Sequence, residues 1–418
     1  MNQSFQDLPD NTMVLIAGAG PAGATASLFL CKSKIPHIIV DRALFPRDKI
    51  CGDALSGKVL DILDKLNPDY RSELGQDAQN FLGSHGVRFI APSGKSVDIP
   101  FQKNSPAGSR APGFISTRKH FDDFLIRKIN PEFGTLIQET TVKIISGEQQ
   151  GILAELEQNG KRKRIEVSVL IAAGGDRSPE TLPGIKQGIP RRHYSAGIRA
   201  YMQGVEGFHQ QNFIELHFLN DLLPGYFWIF PMTGGKANIG IGMLSSTVAS
   251  RKINLRKMLM EIIREHPSMK HRFRNAEFAD NIRGWGLPLG GRKIPLSGNH
   301  FMLTGDAASI IDPFTGEGIG NAMLSGMLAA KQVAASDGNF DAASLAAYDK
   351  SIYDRLGKEL HLSQVMQRLA EYPWLLNLVI GKASRNDSIR DTITMMFENM
   401  DIRSRLRKPG FYFDLLFR

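Results

Sequence analysis

The sequence predicts an α/β fold: a three-layer (ββα), Rossmann-like nucleotide-binding domain, interrupted by an inserted β-sheet domain and followed by a helical C-terminal region. Two observations lead there. The N-terminal run MVLIAGAGPAGATASLFLCKSKIPHIIVDR passes from an apolar strand through a glycine-rich turn into a segment of helical period and then a second strand. Far along the chain, HFMLTGDAASIIDPFTGEGIGNAMLSGMLAAKQVAA (300–335) runs a short strand into Gly305 and Asp306, and a loop with Pro313, Gly316 and Gly318 opens a long helix of small residues.

The composition agrees with a globular enzyme-sized chain. Its 418 residues are 42% hydrophobic and 22% charged, which excludes a disordered protein. Two cysteines, Cys31 and Cys51, make no disulfide framework. The segment MNQSFQDLPDNT lacks the basic-then-apolar order of a signal peptide, so a cytoplasmic location is expected. The apolar stretch from Met13 to Leu30 contains Gly18, Gly20, Pro21 and Gly23, which suits a strand, turn and helix rather than a membrane span.

A net charge of +9 favours anionic headgroups or phosphorylated substrates. Nucleic acid is not expected, because no zinc finger, helix–turn–helix or aromatic stacking motif accompanies the charge. The cluster KRKR (161–164) lies between two alternating runs and reads as a solvated hairpin tip.

Each part of the N-terminal unit has a job. Gly18 permits the tight turn, Gly20 lets backbone approach a pyrophosphate, and Gly23 lets the helix pack on the strand. The start of that helix, around Ala22, offers N–H groups and a positive dipole end to phosphate. Asp41 closes the second strand, followed by Arg42, at the distance where an acid accepts hydrogen bonds from ribose hydroxyls. Cys31 falls on the helix as a buried structural thiol.

Together, GAGPAG and the late GDAASIIDPFTGEGIGNA resemble the flavoproteins related to para-hydroxybenzoate hydroxylase. Within that group, PRDKICGD and GYFWIFPMTGGKANIGIG (225–242) resemble the geranylgeranyl reductase family, whose YxWxFP…GxG signature falls on Tyr226, Trp228, Phe230, Pro231, Gly240 and Gly242. The resemblance implies FAD as cofactor, with NAD(P)H or a reduced ferredoxin as electron donor. It assigns Cys51, Gly52 and Arg118 to the flavin's neighbourhood, and Gly305, Asp306, the Pro313–Gly318 loop and Ile319 to its ribityl, pyrophosphate and pyrimidine portions. One departure stands out: relatives carry an Asp-Gly pair where this chain has Gly174 and Gly175 followed by Asp176, and that pair bears on donor contacts.

These anchors divide the chain into an FAD domain of 10–75, 105–180 and 280–340, a β-rich substrate domain of 76–104 and 181–279, and a helical region of 341–418. The loop FQKNSPAGSRAPG and the turn LPGIKQGIP read as domain crossings. Trp374, Leu375, Leu376, Leu378, Val379 and Ile380 read as the core of a helical cap. The tail RSRLRKPGFYFDLLFR mixes cations with aromatics, which suits an anionic membrane surface at its inner face or a docked terminus equally.

The resemblance implies an enzyme that reduces carbon–carbon double bonds of a prenyl or related long-chain lipid. An isolated alkene is not electrophilic, so hydride delivery needs a proton aimed at the double bond. Cys51 and Tyr226 are the candidate catalytic residues; for Cys51, proton donation, filtering of substrate and simple packing all remain open. Tyr226, Trp228 and Phe230 alternate along one strand and share a face, as either a substrate wall or an ordinary sheet core, and Trp228, Phe230, Gly240 and Gly242 are the candidate substrate-binding residues. The alternative reading is an FAD-dependent monooxygenase or halogenase, although YFWIFP is not the WxWxIP of halogenases. Ten histidines form no HxxxH or HExxH pair and there is no CxxC, so no metal is expected.

Overall fold

The computed structural model describes residues 5–102, 110–148, 151–176 and 188–397. The tail RSRLRKPGFYFDLLFR, most of LPGIKQGIP and the centre of FQKNSPAGSRAPG lie outside the described residues. The chain forms two compact units: Met1–Lys49, Arg118–His193 and Leu287–Gln364 make the first; Ile50–Thr117, Tyr194–Gly286 and Val365–Arg418 make the second. Segments 50–75, 110–117 and 280–286, expected with the nucleotide domain, thus group with the second unit. The helical region expected from 341 onward divides between the two.

In the first unit five strands pair in parallel, in the order Phe301–Leu303, Lys161–Ala172, Asn11–Ala17, His37–Val40 and Gly134–Ile137. The central strand is apolar without alternation because helices and sheet cover both faces; Val14, Leu15 and Ile16 are all fully buried. Lys161–Ala172 is long enough to carry a branch of the same eight-stranded sheet, since its first half also pairs antiparallel with Gly151–Gln158, which pairs in turn with Thr140–Glu148.

The tip of that hairpin is Asn159-Gly160, both at positive φ, and KRKR belongs to the strand that follows. Its cations pair locally: Arg162 with Glu157, Arg164 with Glu155 and Lys163 with Asp10.

Helix Pro21–Lys32 begins straight after the glycine turn, with Gly20 as an extended N-cap and Pro21 at the first position. Helix Ile319–Ala335 presses against it so closely that a Cβ on Gly326 would stand 2.1 Å from the Ala22 carbonyl oxygen. Small residues are required there by backbone approach. Cys31 is half-buried rather than buried; burial pushes its thiol pKa up, and its Sγ lies 3.7 Å from the Asn130 carbonyl.

The second unit is built on a sheet ordered Glu277–Phe278, Tyr194–Gln203, Lys236–Leu244, Tyr226–Pro231, Ile214–His217, Gly86–Ile90 and Ser96–Pro100. Helix Leu255–Glu265 covers one face, burying Leu259, Ile262 and Ile263 in one cluster with Phe227, Ile229, Ile239 and Ile241. The other face carries the alternate residues of the same strands.

Helices Pro373–Ala383 and Asp387–Phe397 pack on Ser96–Pro100. The expected cap core is only partly realised: Leu376 and Ile380 are buried, whereas Trp374 is 64% exposed. The helix is apolar around most of its circumference, and only the side bearing Leu376, Ile380 and Ala383 meets the sheet. Among the described residues no helix is long and apolar enough to cross a membrane.

Candidate active site

In the first unit the glycine turn is dictated by contact. Gly18 has φ +106°, and a Cβ there would lie 2.4 Å from the Ala173 carbonyl oxygen; a Cβ on Gly23 would lie 1.8 Å from the Gly18 oxygen. The same contacts seat the turn on the 173–174 backbone, where the Gly174–Gly175 departure occurs.

Asp41 is buried beside this turn. Its Oδ2 accepts from the Ala19 N–H at 2.8 Å and its Oδ1 from the Ala43 N–H at 2.9 Å. A carboxylate has about four lone-pair sites, so each oxygen keeps capacity for a hydroxyl. Arg42 points to solvent.

Above Gly20 stand two guanidinium groups: Arg47 Nη2 is 3.6 Å and Arg118 Nη2 is 3.8 Å from the position its Cβ would take. Both arginines are anchored on Asp122, through Arg47 Nη1 to Oδ2 at 2.6 Å and Arg118 Nε to Oδ1 at 2.6 Å. Burial opposes ionisation of Asp122, but the charges and hydrogen bonds of Arg118 and Arg47 outweigh it and hold the carboxyl below its ordinary range. Arg47 Nη2 also lies 3.9 Å from Asp41 Oδ2, so Asp122 and Asp41 together balance the two guanidinium groups and hold them in place at the N-terminus of helix Pro21–Lys32.

At the other nucleotide-facing segment, Gly305 takes φ +60°, with Ala22 Cβ only 3.1 Å from where its own Cβ would be. Asp306 pairs with Lys49 at 2.7 Å. The Pro313–Gly318 loop is held by Asp312, whose Oδ1 accepts from the N–H groups of Phe314 and Thr315. The Gly316 N–H goes to the Asp312 carbonyl, that of Glu317 to Thr315 Oγ1, and that of Gly320 to the Glu317 carboxylate. Among the described residues, the loop donors left to a ligand are those of Gly318 and Ile319 at the helix start.

In the second unit, register lines up three rows on the face away from helix Leu255–Glu265: Tyr226 with Gly242, Trp228 with Gly240 and Arg199, and Phe230 with Asn238 and Tyr201. The Trp228 indole lies across the glycines, since a Cβ on Gly240 would stand 2.2 Å from its Cζ2 and one on Gly242 3.8 Å from its Cζ3. Its Nε1 donates to Asn238 Oδ1 at 2.9 Å, and Asn238 Nδ2 donates to the Cys51 carbonyl at 2.8 Å. A Cβ on Gly52 would lie 2.9 Å from Phe230 Cε2. The CGD segment and the YxWxFP…GxG segment thus form one packed cluster, in which the glycines are the spaces their aromatic neighbours occupy.

Residues 194–279, which carry most of this face, match the family model of the geranylgeranyl reductase catalytic domain. The chain is an FAD-dependent oxidoreductase similar to the geranylgeranyl reductase family. The menaquinone reductase of Mycobacterium tuberculosis is 27% identical to this reductase over 403 residues, covering 94% of this chain and 92% of that protein. A digeranylgeranylglycerophospholipid reductase of Methanothermobacter thermautotrophicus is 27% identical over 393 residues, covering 93% and 91%.

Among solved structures, a geranylgeranyl bacteriochlorophyll reductase-like protein from Thermoplasma acidophilum has a TM-score of 0.78 at 23% identity, over 95% of this chain and 98% of that one. A flavin-dependent brominase has a TM-score of 0.77 at 21% identity, over 95% and 98%. These two likenesses show the fold.

The first unit fits FAD. The glycine turn that a Cβ would fill, the buried acid Asp41 and the paired guanidinium groups of Arg47 and Arg118 match a ribose next to a pyrophosphate. Sequence reasoning missed Arg47, Lys49, Asp122 and Asp312. The charged FPRDK segment before CGD carried a signal for the first two, and the Asp-Pro ahead of TGEG one for the last.

Proposed function

We propose that this reductase saturates carbon–carbon double bonds in the isoprenoid chain of a lipid, such as a prenylated quinone or a prenyl-bearing phospholipid. The observation that carries the proposal is the face on which Trp228 lies over Gly240 and Gly242, flanked by Tyr226 and Phe230 with ring centroids 6.2 and 6.3 Å from the indole. Such a surface offers an alkene chain apolar contact, with the Tyr226 hydroxyl as a polar group at its edge. The names of the relatives support a prenyl-type substrate.

Bound FAD, once reduced, supplies the hydride. This chain's residues orient the double bond and supply the proton that makes an unactivated alkene accept it. Cys51 and Tyr226 are the side chains proposed for proton delivery, and Trp228 and Phe230 for holding the chain. With one dinucleotide motif, the chain receives electrons from NAD(P)H visiting transiently or from reduced ferredoxin. Peripheral contact with an anionic bilayer from the cytoplasmic side belongs to the same proposal, because the substrate resides there. The exposed Val365, Leu369, Tyr372 and Trp374 support it.

Oxygen dependence tests the reaction class. Turnover of a prenyl lipid in strictly anaerobic solution with a chemical reductant is the expected result. Product formation only when air is admitted would replace this reading with a monooxygenase or halogenase.

A further inference from the structure

On the same face of the second-unit sheet as the aromatic residues runs a polar network that the proposed reaction does not by itself require. Asp53, the last residue of CGD, is fully buried and adopts φ +69°, a left-handed conformation few side chains tolerate. Its Oδ2 accepts two hydrogen bonds, from the Tyr201 hydroxyl at 2.5 Å and from Asn238 Nδ2 at 2.9 Å. Asn238, also fully buried, is the residue that binds the Cys51 carbonyl and the Trp228 indole N–H.

Tyr201 is fixed from its other side. The Arg199 guanidinium stacks 3.9 Å over its ring, and Asp280 takes both Arg199 Nη1, at 2.5 Å, and the Tyr201 backbone N–H, at 2.8 Å. A chain of contacts thus runs from Asp280 through Arg199, Tyr201, Asp53 and Asn238 to the two residues proposed to meet substrate.

A packed apolar filler would hold the sheet at less desolvation cost than a buried carboxylate, an arginine and an amide. What the polar groups add is direction. One carboxylate oxygen fixes a hydroxyl and an amide at once, and the amide fixes the backbone of Cys51 and the plane of Trp228.

We propose that Asp53 and Tyr201 are positioning residues of the reductase site: together they set Asn238, and through it the place of Cys51 and the orientation of Trp228. This rests on the reading above that Cys51 and Trp228 meet substrate.

The test uses the full-length, FAD-loaded protein and needs no substrate. Asp53→Asn suits the left-handed backbone, since asparagine tolerates it, and it removes the charge while keeping an acceptor. Cys51 alkylation by iodoacetamide, followed by peptide mass spectrometry so that Cys31 is read separately, is measured from pH 6 to 10. The expected result is alkylation at pH 7.5 at least about threefold faster than in the parent, because the amide that holds the Cys51 carbonyl loses its charged partner. Tyr201→Phe is expected to shift the Trp228 emission spectrum, measured by difference against Trp228→Phe, while retaining the flavin.

If both variants fold and bind FAD but leave the Cys51 profile and the Trp228 emission unchanged, the network positions nothing and the inference falls. Failure of the parent protein to reduce any prenyl lipid would sink the proposed reaction and leave these two readouts standing. Where a lipid is turned over, Tyr201→Phe is expected to lower kcat about tenfold with KM changed less than about twofold. Equal kcat would also overturn the inference.

Discussion

The Trp228 indole occupies the space that a side chain at Gly240 would need: a Cβ there would stand 2.2 Å from Cζ2 and 2.2 Å from the Ile198 carbonyl oxygen. The second clash is with backbone of the neighbouring strand, which cannot yield as a side-chain tip can. Gly240→Ala is expected to cost about 2 kcal/mol or more and to displace the indole. Gly242→Ala meets Trp228 at only 3.8 Å, an ordinary contact, and is expected to cost less than about 1 kcal/mol. Urea melts of the two variants check this asymmetry within one GxG motif.

Gly23→Ala drives a Cβ to 1.8 Å from the Gly18 oxygen and so pushes the helix off the glycine turn. The N–H groups at the helix start then lose their aim at the phosphates. FAD affinity is expected to fall at least about tenfold, about 1.4 kcal/mol, read as flavin-to-protein ratio after gel filtration and as a titrated Kd. A variant that keeps a full flavin complement would contradict the assignment of this turn.

Asp122 makes a pH prediction. Its folded-state pKa lies below the unfolded value, so its stabilisation is fully present above the unfolded pKa and is lost as pH falls through the folded one. Asp122→Asn is expected to destabilise by about 3 kcal/mol at pH 7, because Arg118 and Arg47 lose a buried counter-charge. The gap from the parent narrows as pH drops below about 4, the ordinary aspartate range. Thermal melts between pH 2.5 and 7 test it, and a gap independent of pH would contradict it.

Val365, Leu369, Tyr372 and Trp374 are half of the eight large hydrophobic side chains found exposed among the described residues. Their concentration between positions 365 and 374 suits an interfacial contact, with tyrosine and tryptophan at headgroup level. Changing Tyr372 and Trp374 together to serine is expected to reduce co-flotation with vesicles containing phosphatidylglycerol by about tenfold and to leave FAD content unchanged. Undiminished flotation would remove this cluster from the membrane proposal.

Much of the nucleotide unit was legible in the sequence because its demands are local. Gly18, Gly20 and Gly23 sit at offsets fixed by one turn, and Asp41 follows at a distance fixed by one helix and one strand. Alternation likewise assigned Tyr226, Trp228 and Phe230 to a single face, and burial of Phe227 and Ile229 against helix Leu255–Glu265 gives the other face to the core.

What escaped was long-range pairing. Asp53 meets Tyr201 and Asn238 from 148 and 185 positions away, Lys49 meets Asp306 from 257, and no local pattern joins them. Asn238 left the one trace, an amide among the apolar residues of ANIGIG. The helix Pro373–Ala383 misled for a related reason: an apolar circumference does not tell which side finds a partner, and Trp374 lies on the side that does not.

The central claim is that this reductase adds two hydrogens across a prenyl double bond at its flavin. The direct measurement is anaerobic: reduce the FAD-loaded protein with dithionite, add a lipid extract, menaquinone or geranylgeranyl diphosphate, follow flavin absorbance, and weigh the lipid by mass spectrometry. Flavin reoxidation matched by a two-hydrogen gain in lipid mass is expected, lost in Trp228→Ala. A flavin that stays reduced with every prenyl lipid, and reoxidises only on admission of air, would contradict it.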